Sequence, residues 1–311
     1  MVMAKKKANN KIRLSAGDKV FDIVNHIALI IIMIIIIYPL YYTIIASLSD
    51  IDELALGNVY FWPRGFSLKA YQNVMMNSDI WLGYRNSLFY MVFGSAYNLL
   101  LMLPLSYALS KKQMFGRSAV TWFFLITMYF SGGMIPGYLL RNSLGLVNNP
   151  LVLIVGGVSV YYTVVTRIFF QTNIPGELYE SAKIDGADEF CCFFRIALPL
   201  SGAIIAVMAL FFATSEWNSY MQALIYFSQK RLYPLQLILR NILVLQTEMM
   251  MDAEYFALLS SEEQEWLVLQ ARMAYTMRYA VVFIASAPLL IAYPFVQKYF
   301  VKGVMIGSLK G

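Results

Sequence analysis

Six stretches of about 20 residues each pass without a single charged side chain: 27–48, 87–109, 118–140, 149–166, 199–215 and 279–297. A helix rises ~1.5 Å per residue, so a run of that length crosses the hydrocarbon core of a bilayer. Because lipid offers the backbone no hydrogen bonds, such runs must be helical. The expected fold class is therefore an all-α membrane protein with six transmembrane helices. The composition agrees, with 59% hydrophobic and 14% charged residues in 311, far from the usage of a water-soluble domain. The first strong run lacks a small-residue cleavage site, so it reads as a retained span and not as a secretory signal.

An even number of spans puts both termini on one side. Fifteen of the 24 lysines and arginines fall in segments on the terminal side, namely before residue 23, in Lys111–Arg117, in Arg167–Arg195 and after residue 297. The excess of basic residues in cytoplasmic loops then places both termini in the cytoplasm. A seventh span at 233–245 would be short, would carry Arg240 near its middle and would reverse the basic C-terminus. The division expected is a cytoplasmic segment 1–22, a membrane domain 23–300 and a cytoplasmic tail 301–311. Lys5–Lys7 would meet anionic lipid. The membrane domain would include a cytoplasmic loop 173–199 and a long outer loop 229–277. Within the outer loop, Ser260-Ser261-Glu262-Glu263 looks like a capping box opening a separate surface helix. Cys191 and Cys192 are adjacent and build no disulfide framework.

The loop 173–199 carries the most legible local physics. Pro175 suits a first helical turn, Glu177 and Glu180 suit its positive end, and Gly186 supplies a left-handed turn to end it. A second short helix from Ala187 to about Arg195 would lead to Pro199 and the membrane. Small residues Ser181 and Ala182 would let another protein approach closely. An amphipathic helix lying on the inner leaflet is the plainer alternative.

The spacing of Glu180-Ser181-Ala182, Asp185-Gly186 and Ile196-Ala197-Leu198-Pro199 resembles the EAA loop of permease subunits in ATP-binding-cassette importers. Serine stands where the middle alanine is usual. The likeness runs through the chain to the carbohydrate group of these permeases, the second maltose-importer permease and its polysaccharide-uptake relatives. It is carried by Ser131-Gly-Gly-Met-Ile-Pro136, Trp217-Asn218, Tyr233-Pro-Leu-Gln236 and Tyr293-Pro-Phe-Val-Gln-Lys-Tyr-Phe-Val-Lys-Gly303. The resemblance implies the type I importer permease fold in the bacterial cytoplasmic membrane. It implies a second, different permease subunit, two ATPase subunits holding ATP and Mg, and an external solute-binding protein delivering an oligosaccharide. It also implies that Glu180, Ser181, Ala182, Asp185, Gly186, Ile196, Leu198 and Pro199 couple the spans to the ATPase. The chain has no Gly-rich loop ending in Lys-Ser or Lys-Thr, so hydrolysis belongs to a partner, and neither a cofactor nor a catalytic residue is expected in this chain.

Sugars are held by aromatic faces and convergent polar groups. Asn86, Tyr97, Tyr129, Glu216, Trp217 and Asn218 are the residues singled out for the substrate pathway. Arg85, Arg141, Arg240 and Arg278 fall near the outer face and suit carboxylates of a uronate-containing oligosaccharide, or else anchor spans at lipid headgroups. A gradient-driven transporter would call for charges at mid-membrane depth or an inverted repeat, and neither is evident. With one histidine and no metal-ligand cluster the sequence offers no case for a membrane enzyme.

Overall fold

The computed structural model describes residues 15–242 and 259–308, and every regular element among them is helical. Residues 1–14, 243–258 and 309–311 lie outside the described residues, and with them Lys5–Lys7 and the middle of the expected outer loop. Two compact units are present, 1–68 and 69–311.

In the first unit, helix α1 (Ala16–Ser47) starts at a capping box. Ser15 Oγ accepts from the Asp18 N–H and the Asp18 carboxylate accepts from the Ser15 N–H, satisfying two of the orphan donors of a helix start. The helix thus begins eleven residues before the uncharged run does. Beyond it the chain turns at Asp50, whose N–H donates to the Arg64 carbonyl. The hydroxyls of Tyr38 and Tyr41 donate to the carbonyls of Tyr60 and Phe61, gathering aromatic rings at the end of the span as expected at a membrane surface.

The second unit is organised by α2 (Ser78–Ser110), a 33-residue helix capped by Asn77 and running through Pro104. It packs against α5 (Val160–Asn173) and α7 (Gly202–Trp217). The last helix, α8 (Ser261–Ser308), is continuous over 48 residues despite Pro288 and Pro294. Ser260 and Glu263 form the expected capping box, but they open α8 itself and not a separate surface helix. A core of Ile80, Trp217, Leu235, Ile238, Met277, Val281 and Ala285 binds α2, α7 and α8 together.

Three helices, 17–47, 78–110 and 277–294 in their apolar parts, are long and apolar enough to span a membrane, and two bent pairs raise the number to as many as five. Three of the six expected spans differ from straight rods, 199–215 by a bend at Ser201 and the other two as follows. Over 118–140 the chain forms α3 (Arg117–Tyr129) and α4 (Met134–Ser143), whose axes meet at 114°. The break falls where Gly133 takes φ +86°, a conformation that L side chains resist. Over 149–166 a four-residue helix, Leu151–Ile154, gives way to irregular backbone at Gly156-Gly157 before Ser159 caps α5.

Candidate functional site

Residues 174–201 form a helix pair whose geometry follows from a few side chains. Helix α6 (Gly176–Ile184) has Pro175 at its N-cap and Glu177 in its first turn, with Glu180 one turn on. It ends in a Schellman arrangement: the Gly186 N–H donates to the Lys183 carbonyl at 3.1 Å and the Ala187 N–H to the Ala182 carbonyl at 2.8 Å. Gly186 sits at φ +82°, the left-handed position that this closure requires. Asp188 then caps the next helix, its carboxylate accepting from the Cys191 N–H at 2.7 Å.

That second helix runs from Glu189 through Leu200, past the expected end at Arg195, and its middle, Cys192–Ala197, is a π-helix. The Leu198 N–H reaches back five residues to the Phe193 carbonyl. Pro199 lacks an N–H, and its ring crowds the preceding turn. The widened turn immediately before it gives the chain room for that ring. At Ser201 the path bends by 80° into α7.

The pair has two faces. Cys192, Phe193 and Ala197 are buried with Met102, Tyr107, Phe170 and Phe212, and Tyr179, Ala182, Ala187, Ile196 and Leu198 pack against that core. Glu180, Ser181, Asp185, Gly186 and Pro199 are exposed. So are the apolar side chains of Ile184, 87% exposed, and Phe190, 75% exposed. The eight residues expected to couple thus divide into five that face outward and three that seat the pair on α2 and α5.

An ionic latch missed by the sequence reading fixes the pair to the end of α2. Glu189 accepts from Lys183 Nζ at 2.8 Å and from the Tyr107 hydroxyl at 2.9 Å, with Lys111 Nζ 3.9 Å away. Lys111 in turn lies 3.1 Å from the centre of the Tyr179 ring, a cation–π contact. The hydrogen bond from Lys183 holds the Glu189 carboxyl below its usual range, while burial lowers the Lys111 ammonium. A carboxylate with a depressed folded value contributes above its unfolded value and loses that contribution as pH falls through the folded one. The latch is therefore complete at neutral pH. Its one sequence-level signal is Tyr107 and Lys111 four apart at a helix end.

The residues singled out for a substrate pathway are dispersed. Asn86 donates to the carbonyls of Arg231 and Tyr233. Tyr97 packs against the core cluster that contains Tyr90, Leu153 and Tyr226, while Tyr129 is exposed. Glu216 lies against Gly94 and accepts from Asn98 at 3.4 Å. Trp217 is a core residue, 1% exposed, whose Nε1–H donates to the Ala285 carbonyl at 3.0 Å. Asn218 and Trp217 border a cavity of about 500 Å³ between α7 and α8 that Thr214, Gln236, Ser286 and Tyr293 also line. Of the four arginines, Arg141 donates to the Tyr226 hydroxyl, Arg240 to Asn241 and Arg278 lies over the Tyr279 ring. Arg85 is exposed. The first three engage different neighbours.

Long apolar helices, broken spans and a two-faced helix pair together suit a membrane-embedded transport component. The chain belongs to the family of binding-protein-dependent transport system inner membrane components, whose model matches residues 80–306. It is a permease subunit and not an enzyme. It is 34% identical over 295 residues to the polygalacturonan/rhamnogalacturonan transport system permease protein YtcP of Bacillus subtilis, covering 94% of this chain and 99% of that one. It is 36% identical over 296 residues to Protein LplC of the same organism, covering 95% and 96%. A crystal structure of a bacterial ABC transporter involved in the import of the acidic polysaccharide alginate matches with a TM-score of 0.82 at 29% identity, over 93% of this chain and 100% of that chain. The fold is that of a type I importer permease.

Proposed function

We propose that this chain forms half of the translocation pathway of an ATP-driven oligosaccharide importer, beside a second and different permease. The observation that carries the reading is the two-faced helix pair: Ala182, Ile196 and Leu198 anchor it, and Glu180, Ser181, Asp185 and Gly186 are left exposed. Such a face fits a cleft on one of the two ATPase subunits, which bind ATP and Mg. ATP then shifts the spans because the docked pair is held differently in the two states. In this reading the chain crosses the bacterial cytoplasmic membrane six times with both termini in the cytoplasm, and an external solute-binding protein delivers the sugar.

The substrate we propose is a uronate-containing oligosaccharide. Support comes from the names of two relatives, one specifying polygalacturonan and rhamnogalacturonan and the other the acidic polysaccharide alginate. The cavity lined by Thr214, Asn218, Gln236, Ser286 and Tyr293 offers hydroxyls, amides and one aromatic face, the chemistry that holds sugars. Uptake of labelled oligogalacturonate by cells expressing the whole importer tests the reading. It should depend on ATP and be outcompeted by uronic but not by neutral oligosaccharides. Uptake that persists without the ATPase, or that neutral sugars abolish equally, would contradict it.

A further inference from the structure

A second cavity, of about 650 Å³, opens at the start of α3, where no role has been assigned. Three cations line it: Lys112, Arg117 and Arg167. No acidic side chain does, and among the described residues none of the three makes an ion pair. Arg117 spends its Nε on the Leu109 carbonyl, and Arg167 places Nη1 3.3 Å from Thr121 Oγ1. The Nε of Arg167 is buried with no hydrogen-bond partner among the described residues, an arrangement that is costly unless a ligand completes it.

The backbone adds to the same field. Helix α3 is 13 residues long, and its N-cap is Gly116, which has no side chain to cap the first turn. The Arg117 N–H is taken by the Met114 carbonyl, but the helix dipole there favours an anion. One turn into α3, Trp122 lines the cavity and is 63% exposed, with Phe123 beside it 65% exposed. Basic groups under an exposed tryptophan at the start of an uncharged run mark the depth at which headgroups meet acyl chains.

We propose that this cavity binds the phosphate of an anionic phospholipid in the cytoplasmic leaflet. Arg117 and Arg167 hold the phosphate, Lys112 adds attraction from the water side, and the acyl chains run along Trp122. The assignment rests on the proposed orientation of the spans, which puts this end of α3 at the cytoplasmic surface. It does not depend on the sugar.

The test uses the whole importer in vesicles of phosphatidylcholine containing increasing fractions of acyl-brominated phosphatidylglycerol. The quenching of Trp122 is isolated as the difference from Trp122→Phe. Two guanidiniums at a headgroup are worth about thirtyfold in preference over brominated phosphatidylcholine. Arg117→Gln with Arg167→Gln should abolish that preference. Lys112→Gln, at an exposed position where misfolding is not expected, should lower it about fivefold. Equal quenching by the two lipids, or a preference untouched by these substitutions, would overturn the proposal. Relief of the quenching by inorganic phosphate would overturn the lipid assignment in favour of a soluble phosphate. Copurification of the ATPase in the same preparations reports separately on the permease reading, so failure of either is recognisable.

Discussion

Gly186→Val leaves the chain inserted in the membrane and lowers transport at least about tenfold. The effect is conformational, since nothing lies within 4 Å of a Cβ built at this position. What forbids the side chain is the backbone, held at φ +82° by the closure of α6. A left-handed L residue costs about 1–2 kcal/mol, more for a branched one, and ~1.4 kcal/mol already corresponds to a tenfold change in a docking equilibrium. Relaxing the strain swings Ala187 away from the Ala182 carbonyl and turns the exposed face of the pair out of register. Gly176→Ala, also with open space at its Cβ but without positive φ, is the matching control and should transport normally. Uptake measured at equal membrane abundance checks the pair.

Trp217→Ala acts on stability. Its indole fills the junction of α2, α7 and α8, meeting Tyr84 edge-on at 5.6 Å and donating to Ala285. Emptying so enclosed a site costs roughly 3–5 kcal/mol, while Trp217→Phe, which keeps the apolar volume and drops the hydrogen bond, should cost far less. Asn218→Ala, one residue on and exposed, should leave the melting temperature unchanged. Thermal unfolding in detergent distinguishes these. A Trp217→Ala protein as stable as wild type would mean that the junction is not the core described here.

What the sequence disclosed and what it hid follow one physical line. Hydropathy reports the solvent around a helix and not where its backbone starts or stops. So α1 begins at Ala16, well before the apolar run, and α8 runs unbroken from the charged Ser261–Glu265 turn into the membrane. For the same reason an uncharged stretch conceals a broken backbone, as at Gly156-Gly157, where the glycine pair and the Ser159 cap were the only signals. The helix pair was legible because its determinants are local: Pro175, Gly186 and Pro199 act within a few residues of themselves. The latch was not, because Tyr107 and Glu189 are 82 residues apart and meet only once α2 and the pair have packed. Trp217 looked like a sugar platform by residue type, and only its burial shows that it belongs to the core.

In the proposed function the exposed face of the helix pair docks on an ATPase. Ser181 is exposed on that face, and among the described residues its hydroxyl bonds only to the nearby Leu178 carbonyl, so a photo-crosslinking residue placed there disturbs little. Irradiating membranes from the native host should yield one adduct, between this chain and a nucleotide-binding subunit, and Gly186→Val should remove it. Adducts with lipid alone, or with a second copy of this chain, would rule that docking out.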